Sequence, residues 1–217
     1  MRILAALLGA VFSLSALAVE PAAPAPESYL EGRDYMQLDT PVRPANSSKI
    51  EVAEVFSYTC PHCFHFEPLI ETWMKAQKAD VELVQTHTSW SSEMEPYQRG
   101  YYTLMSLRLK DKAHMAVFNT IHMERKELAN AEAWADFLAQ FGANRQLVIS
   151  TYNSFSVNSQ IELANARVRG YQISGTPELI IDGRFRISSR NAGSQENMLK
   201  IAQFLVDKVR TERAKKH

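Results

Sequence analysis

Two residues of the 217 stand out for their chemistry: Cys60 and Cys63, the only cysteines, in the run Cys60-Pro61-His62-Cys63. The nine residues before them, Ile50 to Tyr58, are rich in β-formers, and Pro61 sits where a helix can open without losing a needed N–H. A strand-to-helix junction is the setting that makes Cys-x-x-Cys a redox motif. One helical turn puts both sulfurs on one face, within the ~4.4–6.8 Å Cα separation that a disulfide spans. Free N–H groups and the positive dipole end at the helix start favour a thiolate at Cys60, and a protonated His62 would add positive charge there. Cys60 is therefore expected to be the exposed attacking sulfur and Cys63, one turn in, the one that resolves mixed disulfides. Two other readings remain at this point: an inert disulfide, or a metal site drawing on His62 or His65. With two sulfurs and no second Cys pair, no metal is expected.

Glu54 is the next candidate. On the face Ile50, Val52, Glu54, Phe56, Tyr58 it interrupts an apolar row, where a carboxylate is costly unless it is protonated or used. A buried acid six residues before Cys60 would have a raised pKa and could shuttle the proton of Cys63. The alternative is an exposed glutamate on a ragged strand. Thr176-Pro177 precedes the strand-like Glu178 to Ile181, and on bond statistics alone it would be trans. His87, His114 and His122 have no spacing that supports a metal.

The elements that must position these residues follow from periodicity. A short strand is expected in 35–42, then strands over 50–58 and 81–87. Between the last two, Phe66, Leu69, Ile70, Trp73 and Met74 form the core face of a helix that Pro68 should kink. Helices are expected over 96–109 and 113–123, from Asn130 to Gly142, from Asn144 (with Leu147, Val148, Thr151 and Tyr152 inward) and over 159–169. Asp182-Gly183 signals a hairpin between 178–181 and 185–188. Ser194 caps a final helix with Met198, Ile201, Ala202, Leu205, Val206 and Val209 inside, and the charged tail 211–217 is expected to fray. The layout is a β-α-β unit and a β-hairpin-α unit, split by roughly 70 residues of helix.

Composition excludes several classes. A hydrophobic share of 46% supports a core and rules out a disordered chain. Lys+Arg 24 against Asp+Glu 24 gives no basic excess for nucleic acid. Arg2, the uncharged run Ile3 to Leu17 and the small-x-small Ala16-Leu17-Ala18 read as a cleaved secretory signal over 1–18, with a Pro/Ala-rich leader over 19–28. The mature chain is expected to be soluble in an oxidising compartment.

Three segments resemble one family. VAEVFSYTCPHCFHFEPL (52–69), YNSFSVNSQIELANARVRGYQISGTPELIIDGRF (152–185) and SYLEGRDYMQLDTPV (28–42) are similar to the DsbA family of bacterial periplasmic thiol-disulfide oxidoreductases, over about 28–210. The resemblance implies an α/β thioredoxin fold over 29–217 with an inserted all-helical domain at about 90–157. It implies Cys60 as nucleophile, Cys63 as its partner, Glu54 as the acid before the motif and a cis Pro177 against the disulfide. The backbone of Thr176 would pair with an extended substrate. Substrates would be nascent or unfolded exported proteins with free cysteines. Reoxidation would fall to an integral membrane, quinone-linked partner of the DsbB kind. No cofactor is implied, and a monomer is expected because only about ten leader residues precede the fold. Family oxidases often carry valine before the cis-proline, whereas isomerases and reductases of the wider superfamily often carry threonine. Thr176 thus keeps open a disulfide isomerase or reductase held reduced, and suggests that Thr176→Val would give a stronger oxidant. A third reading is a secreted binding module whose disulfide is only structural.

Overall fold

The computed structural model describes residues 28–215, so the proposed signal and nearly all of the leader lie outside the described residues. In chain order the elements are β1 (Met36–Gln37), β2 (Ile50–Phe56), α1 (Pro61–Lys75), β3 (Val81–His87), α2 (Glu95–Ser106), α3 (Lys110–His122), α4 (Ala131–Ala139), α5 (Arg145–Tyr152), α6 (Phe155–Gly170), β4 (Glu178–Ile181), β5 (Phe185–Ser188), α7 (Ser189–Ala192) and α8 (Gln195–Ala214). The five strands form one sheet in the order β1-β5-β4-β2-β3. β2 runs parallel to β3, and β4, β5 and β1 add antiparallel on its other side.

All seven residues of β2 are buried because both faces of the sheet are covered. Ile50 and Val52 pack with Phe66 and Ile70 of α1 and with the α8 stripe, while Ala53 and Val55 meet Val168 and Tyr171 at the end of α6. The upper end of β2, at Phe56 and Tyr58, enters a separate core built from α2–α5 around Trp134, Tyr101 and Phe118. The strand that carries Glu54 therefore leads straight from the sheet core into the helical core, with Cys63 at the seam.

The elements that differ from the sequence reading have local causes. The first strand shrinks to two residues; Pro41 has no N–H to give a ladder, although Leu38 and Val42 still donate to Arg184 O and Gly183 O at 2.8 Å each. α6 starts at Phe155, earlier than expected, because Ser154 caps it by accepting from the Val157 N–H at 3.2 Å. α7 was absent from the periodic pattern, being too short to show one. Leu147 is exposed rather than inward, and the buried residues of α5 are Val148 and Tyr152, an i, i+4 stripe, with Ile149 packed beside them. α8 continues to Ala214 instead of fraying at 211, since Arg210 donates to Asp80 and Arg213 to Asp182, each at 2.6 Å. The hairpin turn is as expected: Asp182 and Gly183 both have positive φ, and a Cβ on Gly183 would lie 1.7 Å from Val42 O.

Candidate active site

The helix that holds the two sulfurs begins with Cys60 as its N-cap, in extended conformation, and Pro61 follows at the first turn. Cys60 has no side-chain cap bond to satisfy, so its sulfur is left beside free backbone N–H groups. Cys60 is partly exposed and Cys63 fully buried, and both are free thiols, so the geometry described is that of the dithiol.

Their acidities are driven apart. Cys60 is lowered from 9.0 to about 5: the Cys63 thiol hydrogen bond contributes most, partial burial opposes it, and the Thr176 side chain and the N–H groups of Cys63 and His62 add to the pull. Cys63 is pushed well above 9.0 by burial, and next by its role as donor to Cys60. The helix start thus acts as expected, but the leading donor is the partner thiol. His62 contributes through its backbone; its ring is exposed, and its carbonyl accepts from Gln195 Nε2 at 2.6 Å.

The loop before β4 closes the other side. The Thr176-Pro177 bond is cis, as the resemblance implied. As a thiol, Cys60 donates to the Thr176 carbonyl at 3.3 Å, whereas the thiolate is favoured by the Thr176 side chain. The same residue therefore touches both protonation states. Its side chain lowers the Cys60 pKa, which stabilises the reduced enzyme. On that basis Thr176→Val is expected to give a weaker oxidant, where the resemblance suggested a stronger one.

Glu54 lies under the sulfurs with no exposed surface, so it is not an edge glutamate. Parallel register places it opposite Gln85 of β3. The Gln85 side-chain amide donates to Glu54 Oε2 at 2.7 Å and to Glu67 Oε2 at 2.9 Å, bridging two buried carboxyl groups. Burial, and then the proximity of Glu67, raise Glu54 from 4.5 to about 8, so it holds a proton at neutral pH. Its Oε1 has no hydrogen-bond partner.

Glu67 Oε1 lies 3.2 Å from His114 Nε2, a contact whose angle falls short of a hydrogen bond. Burial keeps the Tyr58 phenol protonated, and its hydroxyl is hydrogen-bonded to His114 Nδ1 at 2.6 Å. His87 is lowered to about 3, by burial and then by His114, and its neutral Nε2 accepts the Tyr58 N–H at 2.9 Å. His122, on α3, bonds the Tyr58 carbonyl at 2.8 Å and stacks on Phe64 at 5.1 Å between centroids. These three histidines form a collar on the strand end leading to Cys60, a placement that sequence reasoning missed. Glu67 had a signal, since it stands four residues after Cys63 on the inward face. His114 and His122 had none, because the topology of the helices between β3 and β4 is not written in their local pattern. His65 stays exposed on α1.

Comparison with known proteins agrees with this geometry. A DSBA-like thioredoxin domain matches residues 70–200. The thiol:disulfide interchange protein DsbA of Pseudomonas aeruginosa is 38% identical over 184 residues, 85% of this chain and 87% of that protein. The chain belongs to the DsbA family. The DsbA of Azotobacter vinelandii is 36% identical over 94% of this chain and 97% of its own length. The crystal structure of P. aeruginosa DsbA superposes with a TM-score of 0.82 over 86% of this chain and 97% of that one. The oxidoreductase NmDsbA1 of Neisseria meningitidis, at 28% identity, gives 0.74 over 85% of this chain and 96% of its own. The fold is accordingly the thioredoxin α/β fold with a helical insertion, and the protein is a protein thiol:disulfide oxidoreductase.

Proposed function

We propose that the chain works as a periplasmic oxidase, donating a Cys60–Cys63 disulfide to newly exported proteins that carry free cysteines. A substrate thiolate attacks Cys60 Sγ, a mixed disulfide forms, and Cys63 leaves as thiolate. Cys63 is buried and strongly favours its thiol, so it takes up one proton, a role we assign to the buried, protonated Glu54. The second substrate thiolate then attacks the substrate sulfur of the mixed disulfide. Cys60 departs as thiolate and needs no proton. Two electrons pass from substrate to enzyme, and one proton is bound. An integral membrane, quinone-linked partner of the DsbB kind accepts those electrons to restore the disulfide. The periplasmic assignment rests on the signal-like residues 1–18. Thr176 and Pro177 supply the backbone edge that an extended substrate would join.

The observation that carries this reading is the seat of Cys60 at the start of α1, beside the buried Cys63 and against the Thr176-Pro177 loop, a setting that lowers Cys60 to about 5, stabilises the reduced enzyme and makes its disulfide oxidising. Alkylation trapping in cells tests it. Oxidised Cys60 and Cys63, with mixed disulfides accumulating on a Cys63→Ala variant, are expected. A pair trapped wholly reduced would point instead to the isomerase or reductase that Thr176 keeps in view.

A further inference from the structure

Beside the Thr176-Pro177 loop lies a polar pocket of about 420 Å³. Its lining combines Ser174, Glu178, Arg186, Ser189 and Arg190 with the loop itself. It adjoins the reacting sulfur, because Thr176 O is 3.3 Å from Cys60 Sγ. A larger groove of about 840 Å³ along α8 shares no residue with the site.

The charges in the pocket are unequally committed. Glu178 is buried; its Oε1 accepts from the Ser174 hydroxyl at 3.0 Å, and Arg186 Nε stands 3.7 Å from its Oε2. Arg186 also donates to the Gln172 carbonyl. Ser189 donates to the Pro177 carbonyl at 3.0 Å. Arg190 is exposed on α7, and no ion pair of its guanidinium is found among the described residues. Two arginines against one carboxylate leave a net positive pocket, and the uncommitted charge is at its rim. A strand added at Thr176 sends side chains to alternate sides every ~3.3 Å, so a residue near the substrate's cysteine faces this pocket.

We infer that the pocket is a specificity subsite, in which Arg190 selects an acidic side chain close to the reactive cysteine of the substrate. The inference rests on the oxidase reading and names a substrate class for it. Arg190 is a binding residue here and takes no part in the sulfur chemistry. Glu178 opposes the preference, since it already neutralises part of the pocket.

The test uses the oxidised full-length mature protein and synthetic two-cysteine peptides. One residue flanking a cysteine is varied among Glu, Gln, Leu and Lys at each of the nearest positions. The second-order rate of Cys60–Cys63 reduction is read by stopped flow. At low salt, the Glu peptide is expected to react about two- to fivefold faster than Gln at one or more positions, with Lys slowest, as for an exposed charge contact. The preference is expected to vanish in high salt and in Arg190→Gln, and to widen in Glu178→Gln. Equal rates for Glu, Gln and Lys, a Leu peptide reacting fastest, or a Glu preference that survives Arg190→Gln would overturn the inference. Dithiothreitol separates the two levels of the argument: a disulfide that no dithiol reduces would count against the oxidase reading itself, whereas normal reduction by dithiothreitol without side-chain preference would sink only the subsite.

Discussion

The acidity of Cys60 implies that the stability order of the reduced and oxidised forms inverts with pH. A depressed folded pKa gives stability that is fully present above the unfolded value, 9.0, and is lost as pH falls through the folded value, about 5. At pH 7 two of those four units are in play, about 2.7 kcal/mol at ~1.36 kcal/mol per unit, which solvent screening at a half-exposed sulfur cuts to about 2. The disulfide favours the other form. Closing the four-residue loop Cys60 to Cys63 restricts the unfolded chain by about 2 kcal/mol. Glu54 is present in both forms and drops out of the difference, while Cys63 stays a thiol below pH 9 whether folded or not. The oxidised form is thus expected to lead by about 2 kcal/mol near pH 4, the two to cross near neutrality, and the reduced form to lead by pH 8. A stabilised reduced form is already the accepted basis of oxidising strength in the family's reference DsbA, so only the pH course is at stake here. Urea unfolding of both forms from pH 4 to 8 gives the difference directly. A gap that stays constant over that range would refute the reasoning, because no proton would then be linked to the redox change.

Four further outcomes follow from Glu54, His114 and Thr176. Raising Glu54 from 4.5 to about 8 makes folding lose stability as pH rises through that window, so Glu54→Gln is expected to match the parent near pH 4 and to exceed it in urea midpoint at pH 8.5. The same variant is expected to slow the step that protonates Cys63 and to remove any rate break near pH 8, read by stopped-flow reduction. His114→Ala leaves the Tyr58 hydroxyl without its partner and removes the 3.2 Å neighbour of Glu67 Oε1, while Glu67 keeps Gln85, and is expected to cost about 2 kcal/mol in chemical denaturation. Thr176→Val removes a group that favours the Cys60 thiolate; thiolate absorbance is expected to show a higher Cys60 pKa, with a potential more negative by tens of millivolts, at about 30 mV per 1.4 kcal/mol.

Much of this was legible because the decisive signals are local. Cys60-Pro61-His62-Cys63 after a β-rich run fixes both the chemistry and the junction that shapes it, and Asp182-Gly183 defines the hairpin without help from the rest of the chain. The caps Asn130, Asn144 and Ser194 each mark a true helix start, with side chains accepting from Ala133, Leu147 and Asn197 N–H groups. Glu54 was suspected because a charge in an apolar row is costly, but its partners come from three other elements: Gln85 from β3, Glu67 from α1 and, through it, His114 from α3. Such convergence depends on register and topology, which periodicity does not encode. The source of Cys60 acidity was legible only in part, for a related reason. A helix dipole and a neighbouring His62 are visible in the sequence, but a thiol-to-thiolate hydrogen bond exists only once one turn of helix has set the sulfurs side by side.

The reduction potential of the Cys60–Cys63 couple tests the central claim most directly, by equilibration with glutathione buffers at pH 7 and trapping of the thiols. About 2 kcal/mol of thiolate stabilisation corresponds to about 45 mV above an ordinary glutaredoxin-like pair near −230 mV. A value less negative than about −190 mV is expected. A value at or below about −230 mV would mean that the Cys60 thiolate does not stabilise the reduced enzyme, and would contradict the assignment of this chain as an oxidase.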